Sequence, residues 1–380
     1  MIYKLSFLTQ STRRNSCKVL FTTFIFVLVL LAAPGASAQA PSSRIKAEIE
    51  RLQQSLKEKP ITNPDFPNLN SAIGDQLKDS AAALTAGRLY SALERLGQAE
   101  NLLQGARYTD ENAGAINESF PAFEAQWGKT SLELAALDKS ARQRDWSHTL
   151  AGVRAISEAA QGRTLPLLEG GRGFATATKP KDGLFYTGQA QGEAAFAAFV
   201  AKLDFSRKGA PVPLRSLLPE LQTLQEKVNA VFQPPRSIDM HPRFIALNSA
   251  IKAARELDSS RAYAGSLYQY LEAVRHYGML NPAVPDATKQ AALRSAIADE
   301  LKKISGGNRD DSITQIFLER ASGWLNKPDG AAPSDDEWRA VRIILEDVMP
   351  AYQAALKPAA PLQQRAGKTA TLTLVRWPYT

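Results

Sequence analysis

The sequence predicts an all-α fold of stacked antiparallel helical hairpins, solenoid-like or gathered into two helical bundles, with a short extended segment at the C-terminus. Three observations carry this. Apolar residues recur at steps of three and four along most of the chain. The stretches that carry them are rich in Ala, Leu, Glu, Gln and Arg, which favour helix. Short turns such as "SGGN" and "NKPDGAAPS" separate them, and only the last dozen residues show the alternation and β-branching of a strand.

The first element is an expected secretory leader. Lys4, Arg13, Arg14 and Lys18 precede the apolar run "VLFTTFIFVLVLLAA" (19–33), and Pro34 with Ala36-Ser37-Ala38 supplies a break and a small-residue cleavage site. Fifteen apolar residues are fewer than the ~20 a membrane-spanning helix needs. Cleavage after Ala38 is therefore expected, giving an exported, periplasmic or secreted chain that touches a membrane only through the discarded leader. The single cysteine, Cys17, leaves with it. The mature chain is thereby expected to lack disulfides, thiolate nucleophiles and thiolate metal ligands. The leader also takes four of the basic residues, so the formal charge falls from +8 to +4. Acidic and basic residues are interspersed, without the basic stripe that phosphate-backbone binding requires, which argues against a nucleic-acid partner.

In the region 39–232, Ile45, Ile49, Leu52 and Leu56 share one helical face that ends at Pro60. Residues 71–103 read as a helical hairpin turning at Gly87. A second pair is expected in "FPAFEAQWGKTSLELAAL" (120–137) and "DWSHTLAGVRAISEAA" (145–160), the latter opened by Asp145 or a neighbour as cap. The stretch 162–183, with its Gly, Thr, Lys and Pro content, reads as a surface loop. Phe196, Phe199, Val200 and Leu203 then form an apolar stripe of core character. Leu214, Leu217, Leu221, Leu224, Val228 and Val231 follow coiled-coil spacing, with Pro219 either opening the helix or kinking it.

The linker "QPPRSIDMHP" (233–242) marks an expected boundary. The C-terminal region, 243–357, reads as helices at 243–258, 260–280, 286–305, 311–326 and 335–357. Ser334 and Glu337 form a capping-box pair for the last, whose face carries Trp338, Val341, Leu345, Val348 and Tyr352, with a late bend at Pro350. Residues 358–380 are a linker and a strand-like tail, "TATLTLVRWPYT".

Two windows echo one another: "AGRLYSALE" (86–94) and "AGSLYQYLE" (264–272). In the first, Gly87 is followed by Ala92, Leu93, Leu96 and Ala99. In the second, Gly265 is followed by Tyr270, Leu271, Val274 and Tyr277, with Pro282 closing the unit. This pattern resembles the second helix of a tetratricopeptide-type hairpin, and residues 144–158, with Trp146, are a weaker third copy. The resemblance covers about a quarter of the chain. It departs from the family at the large Tyr270 and Tyr277, in lacking the first-helix signature, and in lacking the steady period of about 34 residues. What it implies is architecture alone, packed antiparallel helical hairpins.

Chemistry-bearing motifs are sparse. His148, His241 and His276 are isolated, no HExxH or G-x-S-x-G is present, and neither catalytic residues, metal nor cofactor is expected. Arg172, Lys179 and Lys181 in the glycine-containing stretch are candidate anion ligands. Asp310-Asp311 and Asp335-Asp336 precede helices, where carboxylates meet the positive end of the dipole. Trp377 and Tyr379 of the tail are candidate partner contacts, the alternative being that they dock on the protein's own helices. The expected function is a non-enzymatic exported scaffold offering a helical groove to a protein or peptide partner. The alternative is an extracytoplasmic enzyme or ligand-binding protein using a cleft between helical regions. The oligomeric state is not specified by the sequence.

Overall fold

The structure, a computed structural model, describes residues 40–205, 209–232, 240–281 and 283–358. The expected leader and cleavage site, residues 233–239 of the linker and the tail with Trp377 and Tyr379 lie outside the described residues. Within them the fold is all-α, with no β-strand and no helix long and apolar enough to cross a membrane.

The helices are α1 (Pro41–Glu58), α2 (Leu69–Thr85), α3 (Leu89–Ile116), α4 (Phe120–Arg142), α5 (Ala151–Phe174), α6 (Leu184–Ala201), α7 (Leu218–Val231), α8 (His241–Ser259), α9 (Tyr263–Gly278), α10 (Ala287–Gly306), α11 (Ser312–Leu325), α12 (Asp335–Ile343) and α13 (Met349–Ala355). Pairs α2–α3, α8–α9 and α10–α11 are hairpins, and α5 packs against α6, α9 and α11. One hydrophobic core runs from Ile45 in α1 to Ala355 in α13, drawing on helices from both sides of the 233–242 segment. Two smaller clusters lie beneath α4, one around Tyr108, Phe123 and Leu184, the other around Leu134, Leu168 and Ala190.

Most of the expected faces are the buried ones: Ile45, Ile49 and Leu52 in α1, and Leu221, Leu224 and Val228 in α7. Pro219 opens α7 rather than kinking it, because a first-turn residue has no intrahelical N–H bond to lose. The Ser334–Glu337 capping box is complete. Ahead of Pro350 the helix widens into a single π turn at Ile344–Val348, a register change that accommodates a residue without an N–H.

Three local expectations are corrected. Most of the stretch read as a loop from Gly162 to Gly183 is helical, because α5 continues through Pro166 to Phe174. Gly162, Gly171 and Gly183 serve close contacts instead of turns, while Gly170 and Gly173 face open space: a Cβ on Gly171 would lie 2.8 Å from the Gly183 carbonyl oxygen and 2.6 Å from Thr187 Oγ1. Asp145 does not cap α5. It accepts from the N–H and hydroxyl of Ser147, and the N-cap is Leu150. Gly265 is not a turn glycine. The α2–α3 turn places Gly87 at φ 73°, but the matching position of the α8–α9 turn is Arg261, at φ 63°. Arg88 N donates to Ala83 O and Ala262 N to Leu257 O, both at 2.9 Å, so the two turns have the same six-to-one closure. The sequence windows are therefore displaced from the structural correspondence by four residues, one helical turn.

Helices α3 and α6 share an extensive, close contact. Gly188 and Gly192 occupy successive turns of one α6 face, and a Cβ on Gly188 would meet Gln104 O at 2.6 Å and Tyr108 Cβ at 2.5 Å. The missing side chains let the two backbones approach, and α6 thereby brings Glu193 and Phe196 to the site described next.

Candidate functional site

The N-termini of the central helices follow an unusual rule. Residues Arg88, Leu150 and Ala262 stand at the N-caps of α3, α5 and α9, and none supplies a side-chain cap. The caps come from elsewhere in the chain. Glu319 Oε2 of α11 accepts from Tyr90 N (2.7 Å) and Ser91 N (3.1 Å). Glu158 Oε2 of α5 accepts from Gly265 N at 2.8 Å. Asp310 Oδ2 accepts from Ala151 N at 2.7 Å, and Ser312 Oγ accepts from Gly152 N at 2.7 Å. Asp310 is itself fixed by an isolated backbone bridge in which its N–H donates to Ala210 O. It thus meets α5 as well as the helix it precedes. These side chains satisfy otherwise orphaned donors at the N-termini of the helices. They also lock α3, α5, α9 and α11 against one another.

A cavity of about 1370 Å³ opens beside this frame, walled by α2 and α3, α5 and α6, and α9 and α11. At its base Arg320 of α11 reaches between α3 and α9. Its Nη2 donates to Glu94 Oε1 at 2.5 Å and its Nη1 to Glu272 Oε1 at 2.6 Å. Glu94 and Glu272 are the final residues of the two echoing windows, and both end on this one guanidinium. Tyr268 Oη donates to Glu94 Oε1 at 2.9 Å, and Arg275 Nε donates to Glu272 Oε2 at 2.8 Å. Burial alone would raise the Glu272 carboxyl, but Arg275 and Arg320 outweigh it and hold the group well below the usual carboxylate range. A second anchored pair flanks the first: Arg163 grips Glu193 with two bonds of 2.9 Å, and Asn101 Nδ2 adds a third at 3.1 Å.

The wall of α3 is different. Arg88, Ser91 and Arg95 stand three and four residues apart, on one helical face lining the cavity. Neither arginine pairs with a carboxylate among the described residues. Arg95 donates only to Gln76 Oε1, at 3.1 Å. Arg88 Nε and Ser91 Oγ are shielded from solvent and have no hydrogen-bond partner. The Arg88 guanidinium lies across Gly323 of α11, where a Cβ would come within 3.3 Å of Nη1. Aromatic surface completes the enclosure: Phe174 stacked on Tyr186 with centroids 4.5 Å apart, together with Phe196, Tyr268 and Trp324.

A second cavity of about 1260 Å³ lies on the other side of α5, between α4, the 144–149 segment and the α8–α9 turn. Leu134, Leu165, Leu214 and Leu257 give it aliphatic surface among charged side chains such as Asp138, Arg154 and Glu169, and Arg144 lies 4.6 Å from the centre of the Trp146 ring.

Arg172, Lys179 and Lys181 line neither cavity. Arg172 pairs with Glu124 at 3.4 Å and Lys181 with Glu118 at 2.5 Å, so two of the three are neutralised locally. Lys179 precedes a short 3-10 turn at Pro180–Gly183. His276 leans on Arg275 and is pushed down to about 4, by burial first and by the neighbouring guanidinium second. No group of three or more potential metal ligands occurs among the described residues. The cleft residues Arg88, Ser91, Arg95 and Arg320 had no local motif to announce them. The only sequence sign was the repeated glutamate that closes each echoing window. No protein-family model, curated protein or solved structure matches this chain.

Proposed function

We propose that the chain is an exported, non-enzymatic helical binding protein, released by cleavage after Ala38, whose cleft between α3, α6, α9 and α11 receives an extended segment of a protein or peptide partner. The observation that carries this reading is the Arg320–Glu94–Glu272 network at the base of a cavity of about 1370 Å³. That volume exceeds the ~300–1,000 Å³ of pockets for drug-sized molecules, which favours an elongated occupant over a compact one. Cross-bracing by buried ion pairs favours a preformed cleft, which lowers the ordering cost of binding. Amide side chains such as Gln98 and Asn101 match peptide groups, and the aromatic wall matches apolar side chains.

Binding is favoured over catalysis by the state of the acids. Glu94, Glu193 and Glu272 are each engaged by a guanidinium, which suits a fixed wall rather than a proton donor. The carboxyl held near neutrality, Glu319 at about 7, serves the N-terminus of α3 instead of lining the cavity. The terminal segment with Trp377 and Tyr379 is proposed as an auxiliary contact. The test is affinity capture from envelope extract with the mature chain, a Gln98→Trp variant that fills the cleft from an exposed position on α3, and a variant lacking residues 369–380. Loss of one defined partner in the Gln98→Trp form, with its helical spectrum intact, supports the cleft. Equal capture by that form refutes it.

A further inference from the structure

The α3 wall carries positive charge and hydrogen-bonding capacity that the protein leaves unused. We propose that Arg88, Ser91 and Arg95 form an anion-recognising subsite, and that the segment entering the cleft is acidic, its carboxylates alternating with apolar side chains. This rests on the cleft being the binding site and adds the chemistry of the occupant.

The cations lining the cavity divide into two sets. Arg163, Arg275, Arg320 and Lys327 are each matched to a glutamate, at 2.9, 2.8, 2.5 and 2.8 Å respectively. Arg88, Arg95 and Lys78 of α2 are not; of these the two arginines are half-buried and Lys78 is exposed. Arg88 Nε and Ser91 Oγ are shielded from solvent and without partners, so a side-chain rotation that turns either toward an oxyanion in the cavity breaks no hydrogen bond of theirs and satisfies a donor now unpaired. The backbone N–H groups of Tyr90 and Ser91 are already taken by Glu319, so recognition falls to the side chains. A guanidinium fork and a hydroxyl on successive turns suit a carboxylate, which accepts two parallel N–H bonds. The frame also fixes the fork, because Gly323 leaves room for the guanidinium to lie flat against α11. Beyond this wall, Trp324 and Tyr268 offer apolar surface, so a bound segment meets charge and apolar contact in turn. The second cavity supplies a matched internal control, because Arg144 lines it with an Nε that is likewise buried and without a partner.

The experiment is calorimetric titration of the mature chain with three blocked hexapeptides in which leucine alternates with glutamate, glutamine or lysine. The expected result is saturable binding of the glutamate peptide, weakened about tenfold or more in Arg88→Gln and in Arg95→Gln, and unchanged in Arg144→Gln. Arg88→Gln breaks no side-chain bond that the free protein makes, so a folding failure does not confound it; unchanged thermal melting checks this. Equal binding of the glutamine peptide, blocked by Gln98→Trp, overturns the acidic specificity and leaves the cleft standing. Binding of none of the three peptides overturns both. Displacement of the bound glutamate peptide by an oligogalacturonate of equal charge at lower concentration overturns the peptide as preferred occupant.

Discussion

Replacing Arg320 by Met is expected to cost about 3 kcal/mol of folding stability. The guanidinium donates to Glu94 at 2.5 and 3.3 Å, to Glu272 at 2.6 Å, and to the Tyr268 hydroxyl oxygen at 3.2 Å. Its removal leaves Glu272 with Arg275 as its remaining close cation, and Glu94 with one neutral hydroxyl. Breaking one side of a buried pair costs ~3–5 kcal/mol because the partner charge stays behind without compensation. The three side chains keep 20, 17 and 11% of their surface, so some water reaches them and the lower end of that range applies. Methionine preserves much of the side-chain stem while removing the guanidinium, including its position 5.4 Å from the Phe317 ring centre, so the change is largely one of charge. Urea unfolding followed by circular dichroism measures the change, with an unaltered m-value showing that the unfolded reference is unchanged. Adding Glu94→Gln to Arg320→Met is expected to restore part of the loss, since the stranded charge is then gone. A loss below ~1 kcal/mol, the value of an exposed pair, would refute the reading of Arg320 as the brace of the cleft.

Other outcomes follow from the same structure. Burial raises Glu319 from 4.5 to about 7, so its contribution to stability is full below 4.5 and lost as pH rises through 7. Burial lowers His276 from 6.5 to about 4, so its contribution is full above 6.5 and lost as pH falls through 4. The two oppose each other between pH 4 and 7. Melting temperatures should therefore rise with pH across this range in Glu319→Gln and fall across it in His276→Gln; parallel profiles in the two variants would contradict both assignments. Gly188→Ala, whose methyl would meet backbone at 2.6 Å, should cost roughly 1–3 kcal/mol by thermal unfolding, against little change for Gly114→Ala, where the space is open. Glu158→Gln should weaken the cap on α9 by roughly 1 kcal/mol and speed hydrogen exchange at Gly265, with no change at α7.

The helical faces were legible because burial imposes a period. Ile45, Ile49, Leu52, Leu221, Leu224 and Val228 point inward for the reason that makes them recur at steps of three and four. The Ser334–Glu337 cap was legible because both partners lie within one turn. Gly162–Phe174 was misread because a glycine that opens a turn and a glycine that admits a neighbouring helix look identical in sequence; only the second helix distinguishes them. The N-terminal caps were hidden for a related reason. Glu319 serves Tyr90 from 229 residues away, and Asp310 serves Ala151 from 159. The cleft followed suit. The echo of residues 86–94 in residues 264–272 pointed to a relation between two helices, yet the relation is not the turn register it suggested. What the windows share in space is Arg320, drawn from a third helix that neither window contains.

The most direct measurement is a titration of the glutamate–leucine hexapeptide followed by indole N–H resonances. Trp324 lines the cleft, Trp146 lines the other cavity, and Trp127 and Trp338 line neither. A saturable shift of the Trp324 signal, with Trp127, Trp146 and Trp338 unmoved and the shift abolished by Arg88→Gln, is the predicted result. Movement of Trp146 with Trp324 silent would place binding elsewhere and contradict the claim.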